Sequence, residues 1–296
     1  MKFFFVYLGF GLILISCGDG DASSHEHKRG DGILLSVLGK NDRVTNDIKK
    51  TVRIHKVPGY CLGHDLVYKG AEVLHGIEDF IMDKADVRVS DEEVNEFGDD
   101  AMKYLKKQFV FVKRGRKKDA LDKIFSDLLR TREEPSDIHY QLHYVDDTMM
   151  NAFTVGGHVF ITTGIVREAG SVSAVASILG HEIAHNECGH IKSIIRRMKV
   201  AKIAGKSKWG EWGLILQNFI FPSYNQPNEV EADLYGMDMC YAAGFDPREV
   251  IYFWEKLSRR EYDEGDWAGR FVRSHPYSKA RAVCLKKYLK NQYGLE

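Results

Sequence analysis

"LGHEIAHNECGH" (Leu179–His190) is the stretch on which the fold is decided. It contains His-Glu-x-x-His, with two histidines four residues apart. In a helix such residues lie about 40° apart around the axis and one turn along it. The imidazoles of His181 and His185 then converge on one point, as two ligands of an ion about 2 Å from each nitrogen must. Glu182, about 100° round from His181, sits beside the pair rather than on it. A carboxylate there is placed to take a proton from water, not to ligate. Glu187 falls near the opposite face. His190 is also well off the ligand face and is read as a helix-end or packing residue. Val172, Val175, Ala176, Leu179 and Ile183 recur at helical spacing, which predicts one helix from about Ser171 to Ile191.

Two histidines need a further ligand. "NEVEADLYGMDMCYAAGFDP" begins at Asn228 and reads as a helix to about Ala243, closed by Gly244. Glu229 and Asp233 are four apart on one face, and Glu231 points elsewhere. Stacked carboxylates of this kind fit a ligand plus a partner that holds a ligating histidine through its other N–H. After Gly244, Asp246 is expected as N-cap and Pro247 at the first position, with Glu249 completing a capping box. Val250, Phe253, Trp254 and Leu257 then form an apolar stripe read as core packing.

Upstream, Ser90 with Glu93 forms a capping box, and Val94, Phe97, Ala101, Tyr104 and Leu105 follow at helical spacing. A second helix carries Leu121, Ile124, Phe125, Leu128 and Leu129 and stops before Pro135. "VKRGRKK" (Val112–Lys118) joins the two as a basic, solvated loop, with a contact to acidic lipid heads as the alternative. The period then changes to two. Ile138, Tyr140, Leu142 and Tyr144 alternate with His139, Gln141 and His143, a half-buried strand with both histidines on the solvent face. In "NAFTVGGHVFITTG", Gly156-Gly157 makes a tight turn between two strands.

The N-terminus is an apolar run, Phe3 to Ile15, preceded by Lys2, which fits a secretory signal and is short for a bilayer span. It ends in Leu-Ile-Ser-Cys17, which resembles a bacterial lipobox, with Cys17 as the lipidated first residue. An uncleaved anchor is the alternative. Residues 17–32 are polar and Gly/Ser/Asp-rich, a flexible tether. Residues 33–89 form an N-terminal extension, and residues 90–296 the main domain. Lys+Arg and Asp+Glu are equal at 42 each, so charge gives no reason to expect nucleic acid. With Cys17 lipidated, Cys61, Cys188, Cys240 and Cys284 remain. Export permits disulfides, and the pairing is left open.

Four segments in this order, "NAFTVGGHVFITTG", "LGHEIAH", "EVEADLYGMDMCYAAGFDP" and "SHPYSKAR", resemble the HtpX and CAAX-prenyl-protease family of zinc metallopeptidases. The likeness covers about Ser90 to Leu289 and is closest to the soluble periplasmic lipoprotein branch (BepA- and LoiP-like) and to the Oma-type peptidase domain. It implies an α+β, zincin-like metallopeptidase fold, mostly helical with a small sheet beside the His-Glu-x-x-His helix. It implies one Zn²⁺ held by His181, His185 and Glu229, with Asp233 behind them and Glu182 as the catalytic base. It implies that the edge at Asn151, Ala152 and Phe153 holds substrate by strand addition. The family's usual Pro before Gly-Gly is Val155 here, which bears on that loop. His275 matches the family's late His-Pro motif, as a transition-state donor or a reversible fourth ligand. Arg281 aims at the site or pairs with surface acids. "WGEWGLILQNFIF" is too short, with Glu211 and Gln217, for the spans of integral members.

The implied function is a zinc endopeptidase of the bacterial envelope, anchored by lipid and facing the periplasm from the outer membrane, in protein quality control. Its substrates would be peptides or misassembled envelope proteins. The rival expectation is an envelope assembly factor or chaperone whose zinc site is closed or structural, and a weaker one is a metal carrier.

Overall fold

The computed structural model describes residues 51–61, 87–203, 226–258, 275 and 279–295. The signal, Cys17, the tether, most of the extension, "WGEWGLILQNFIF", Ser274 and Pro276 lie outside them. Eight helices and three strands are described. In chain order they are α1 (Asp91–Leu105), α2 (Arg116–Leu129), β1 (Gln141–Val145), β2 (Ala152–Val155), β3 (His158–Thr162), α3 (Thr163–Ala169), α4 (Val172–Glu187), α5 (His190–Ile203), α6 (Gln226–Ala242), α7 (Glu249–Ser258) and α8 (Lys279–Tyr293). This is the expected α+β, zincin-like arrangement, mostly helical with a small sheet. Among the described residues no helix is long and apolar enough to cross a membrane.

Local rules place most of these elements. The Ser90 hydroxyl accepts from Glu93 N–H at 3.2 Å and the Glu93 carboxylate from Ser90 N–H at 3.1 Å, the expected capping box. The buried face of α1 is Val94, Phe97, Ala101, Met102 and Leu105. The buried face of α2 is Leu121, Ile124, Phe125, Asp127 and Leu128. The basic run only partly joins them as a loop: Arg116, Lys117 and Lys118 form the first turn of α2, and Val112 N–H donates to Tyr144 O at 2.8 Å.

The sheet order is β1-β3-β2, with β1 parallel and β2 antiparallel to β3. The two-residue turn has φ +52 at Gly156 and +86 at Gly157, values that favour glycine at both positions. The helix α1 crosses this turn so closely that a Cβ at Gly98 would collide with Gly156 O. Both faces of the sheet are covered. Ala152, Val159, Ile161, Leu142 and Tyr144 join α2, α4 and α6 in one core cluster. Phe153, Val155, Phe160 and Val145 join α1 and α5 in another. Burying a side chain such as Phe160 stabilises by roughly 2 kcal/mol.

That second cover corrects the reading of the alternating strand. His139 is exposed, but His143 is not on a solvent face. Its ring stacks on Phe160, centroids 4.8 Å apart, and its Nε2 is 2.8 Å from His158 Nδ1. Burial pushes the His143 imidazole down to about 4.

Two further expectations change. The helix predicted over 171–191 ends at Glu187; Gly189 has φ +77, and α5 starts afresh at His190. Gly189 ends a helix as left-handed glycines do. The second box at α7 does not form, because Glu249 turns away: its carboxylate accepts from Ser171 Oγ at 3.0 Å. Asp246 instead accepts from Arg248 N–H at 3.0 Å.

The described part of the N-terminal extension is fastened to the rest. Val52 N–H donates to Thr131 O, and Glu133 N–H to Val52 O. Cys61 is disulfide-bonded to Cys284, Cα atoms 4.7 Å apart, while Cys188 and Cys240 are free thiols.

Candidate metal centre

The helix α4 is the hub. It is capped at Ser171, whose hydroxyl accepts from Ala174 N–H at 2.9 Å, and it is buried from Val172 to Asn186. It packs against α6 at a glycine pair. A Cβ at Gly236 would lie 2.8 Å from His181 N and 2.9 Å from Gly180 C. Backbone thus meets backbone, and the short side chains Glu229 and Asp233 on α6 reach the histidines of α4.

His181 Nε2 and His185 Nε2 are 3.0 Å apart. The Glu229 carboxylate lies 3.6 Å from the first and 3.4 Å from the second. His275, the one described residue between Ser258 and Lys279, inserts its Nδ1 3.3 Å from both His181 Nε2 and Glu229 Oε1. One ligating atom from each of these four buried residues falls within 4.8 Å of every other.

Behind this group, His181 Nδ1–H donates to Asp233 at 2.9 Å. Arg281, on α8, grips Asp233 Oδ2 through Nε at 2.9 Å and Nη2 at 2.7 Å, and Glu229 through Nη1 at 3.0 Å. Of the two expectations for Arg281, the guanidinium does reach the site, but it holds two carboxylates from behind. Its flank lies 5.0 Å over the Trp254 ring.

Glu182 is 1% exposed, and neither carboxylate oxygen has a hydrogen-bond partner among the described residues. His275 Nε2 is 3.6 Å from it. Burial raises the Glu182 carboxyl above its ordinary range. Burial also pushes Glu229 up, but His275, Arg281 and His181 outweigh it and hold that carboxyl well below the usual range. Burial drives His185 well below 6.5, keeping its ring neutral and its lone pair available. His275 also feels burial downward, but Glu229 and Glu182 more than offset it, so its affinity for a proton is raised.

The residues fit a divalent metal. The donors are imidazole nitrogens and a carboxylate, a set that suits zinc. Three carboxylates, Glu182, Glu229 and Asp233, are buried here, and the guanidinium of Arg281 pairs with only the last two, so negative charge remains of the kind a buried dication neutralises. Glu182, orphaned and buried, is a carboxylate aimed at something besides protein.

The substrate-edge residues join the site differently. Among the described residues β2 ends the sheet order, and its side chains belong to the core: Ala152 is fully buried, and Phe153 stacks on Phe160 at 4.6 Å. Asn151 is 7% exposed and pairs through its backbone with Thr162. The main chain of this strand is buried with its side chains. It is tied to α4 by Asn186, whose Oδ1 accepts from Gly157 N–H at 3.2 Å and whose Nδ2 donates to Thr154 Oγ1 at 2.6 Å.

Three participants escaped the sequence. Trp254 was read only as core, yet with Ser177, Ile178, Val250 and Phe253 it lines a small pocket bounded by His181 and Glu182. Apolar spacing on α7 could not separate a pocket wall from the core. Asn186 sits next to His185 with no pattern to mark it. A continuous helix would carry His190 away from the ligand face, so helical spacing alone does not mark it.

A His-Glu-x-x-His helix paired with an acidic helix through a glycine contact, beside a small mixed sheet, defines a metallopeptidase of the zincin-like class. Comparison with known proteins narrows this. The model described as "Peptidase family M48" matches residues 116–289, more than half of the chain, and the chain belongs to that family. It is 30% identical over 162 residues to "Mitochondrial metalloendopeptidase OMA1" of Schizosaccharomyces pombe, covering 52% of this chain and 48% of the relative. The Arabidopsis thaliana protein of that name is 26% identical over 223 residues, 68% of this chain and 42% of the relative. "Beta-barrel assembly-enhancing protease" of Escherichia coli K12 is 26% identical over 166 residues, 48% and 33%. The chain thus spans less than half the length of these relatives.

Proposed function

We propose that this protein is a zinc-dependent endopeptidase of the bacterial cell envelope. The observation that carries the reading is the convergence of His181, His185 and Glu229 beside an orphaned, buried Glu182. His181, His185 and Glu229 would hold Zn²⁺. When bound, zinc polarises the scissile carbonyl and makes the attacking water a stronger acid.

The chain's own residues do the rest. By the family resemblance, the segment at Asn151, Ala152 and Phe153 would take an extended peptide as an added strand once its buried edge is uncovered, which would fix the scissile bond relative to α4. Asn186 keeps that edge in register with the metal helix. Glu182, with its raised proton affinity, takes the water's proton and passes it to the leaving amine. Asp233 holds the His181 ring through Nδ1, and Arg281 holds Asp233 and Glu229 in place. The apolar wall at Trp254 and Phe253 excludes water on one side.

The envelope assignment rests on the lipobox-like Cys17, with residues 1–16 as signal and 17–32 as tether, and on likeness to a periplasmic branch. On this reading the peptidase domain is residues 90–296, the lipid faces the periplasm from the outer membrane, and substrates are unfolded or misassembled envelope proteins. A second reading has one observation in its favour: His275 Nδ1 lies 3.3 Å from both His181 Nε2 and Glu229 Oε1, where its ring would take the fourth position of a bound metal. The protein would then be latent, or an assembly factor with a closed site. Likeness to a protein named as assembly-enhancing is consistent with that.

Casein hydrolysis by zinc-loaded wild type and by His275→Ala separates these. Activity in both supports an open enzyme. Activity in the variant alone supports latency. No activity in either, with zinc bound, overturns the endopeptidase reading in favour of the assembly factor.

A further inference from the structure

His185 is also held from behind. Its Nδ1 lies 2.8 Å from His190 Nδ1, and His190 Nε2 lies 3.2 Å from Glu231 Oε2. His190 is 4% exposed, and the Glu231 side chain is 32% exposed. The helix break makes this possible. In a continuous helix a residue five positions on lies about 140° away and cannot meet its partner. Gly189, at φ +77, turns the chain so that His190 folds back under His185. Glu231 lies two positions from both Glu229 and Asp233, off their shared face of α6, and meets the relay from the other side.

We propose that His190 and Glu231 form a positioning relay for His185, the counterpart of Asp233 on His181. The proton assignment closes with every group satisfied. His185 turns Nε2 toward the metal group and donates Nδ1–H to His190 Nδ1. His190, in the tautomer this requires, donates Nε2–H to Glu231. The two ligand histidines are thereby held unequally. A buried carboxylate clamped by Arg281 fixes His181 directly. An imidazole fixes His185, with its carboxylate at the solvent boundary. Loss of the relay frees the His185 ring to rotate without removing any ligand.

The inference rests on His185 being a metal ligand. Zn²⁺ affinity by chelator competition and the visible spectrum of bound Co²⁺ are measured on the full chain, with casein hydrolysis alongside. His190→Phe keeps the ring volume and removes the acceptor. Its zinc affinity falls roughly 10- to 100-fold, and the Co²⁺ bands shift. His190→Asn places an amide near the Nδ1 position and restores most of the affinity, which a packing role would not do. Glu231→Gln, at a partly exposed site, loses affinity severalfold. Wild-type affinity and an unshifted Co²⁺ spectrum in His190→Phe overturn the relay. If that variant does not fold, wild-type affinity in Glu231→Gln overturns it. A wild-type protein that takes up neither metal removes the metal reading itself, whereas unaffected variants remove the relay alone.

Discussion

Gly236→Ala tests whether the α4–α6 contact sets the site. The added Cβ would stand 2.8 Å from His181 N and 2.9 Å from Gly180 C, where ordinary contact begins at 3.4 Å. Both obstacles are backbone, so the helices must part by about 0.6 Å, an overpacking cost of ~1–3 kcal/mol. Against this, alanine is better than glycine in the interior of a helix by about 1 kcal/mol. Net stability therefore falls by only ~0–2 kcal/mol. The site suffers more than the fold. Metal–ligand distances tolerate about 0.2 Å, while Glu229 rides on the displaced helix and His181 and His185 on the other. The expected result is a modest drop in thermal midpoint with a zinc affinity at least ~10-fold weaker, measured by chelator competition. Wild-type zinc affinity in a variant that has lost the predicted stability would refute the idea that this crossing positions the ligands.

Two other outcomes follow from the same structure. The fold holds His143 neutral, its proton affinity lowered by burial from 6.5 to about 4. The unfolded chain binds that proton first, so this contribution is complete above about pH 6.5 and is lost as pH falls toward 4. Urea midpoints should therefore fall less steeply between pH 7 and 4.5 in His143→Phe than in wild type, and parallel curves would contradict this. The Cys61–Cys284 bridge closes a separation of 223 residues, for which loop entropy sets an upper bound of about 5 kcal/mol. The Cys61→Ala/Cys284→Ala pair should melt well below the oxidised protein and match reduced wild type. An unchanged midpoint would show that the bridge does not constrain the unfolded chain.

Much of this was written in local pattern. The capping box at Ser90, the glycine hairpin and the pairing of Glu229 with Asp233 depend on residues within a few positions of one another. What failed depended on partners far along the chain. His143 alternates as a solvent-facing residue would, because nothing near it reveals that α1 and Phe160 cover that face. Glu249 stands at the right spacing for a box, but Ser171 competes for it from another helix. Gly189 was a signal in plain view. A glycine at the end of a helical run marks a left-handed stop, and reading it would have released His190 from the continuous helix. The Cys61–Cys284 pairing has no local determinant at all.

The central claim is that Glu182 works as a base beside a metal held by His181, His185 and Glu229. The most direct measurement compares His275→Ala with the Glu182→Gln/His275→Ala double variant for zinc content and casein hydrolysis. Both should carry zinc in equal amount, and the double variant should be slower by a factor of about 10²–10⁴. Undiminished hydrolysis in the double variant would contradict the account.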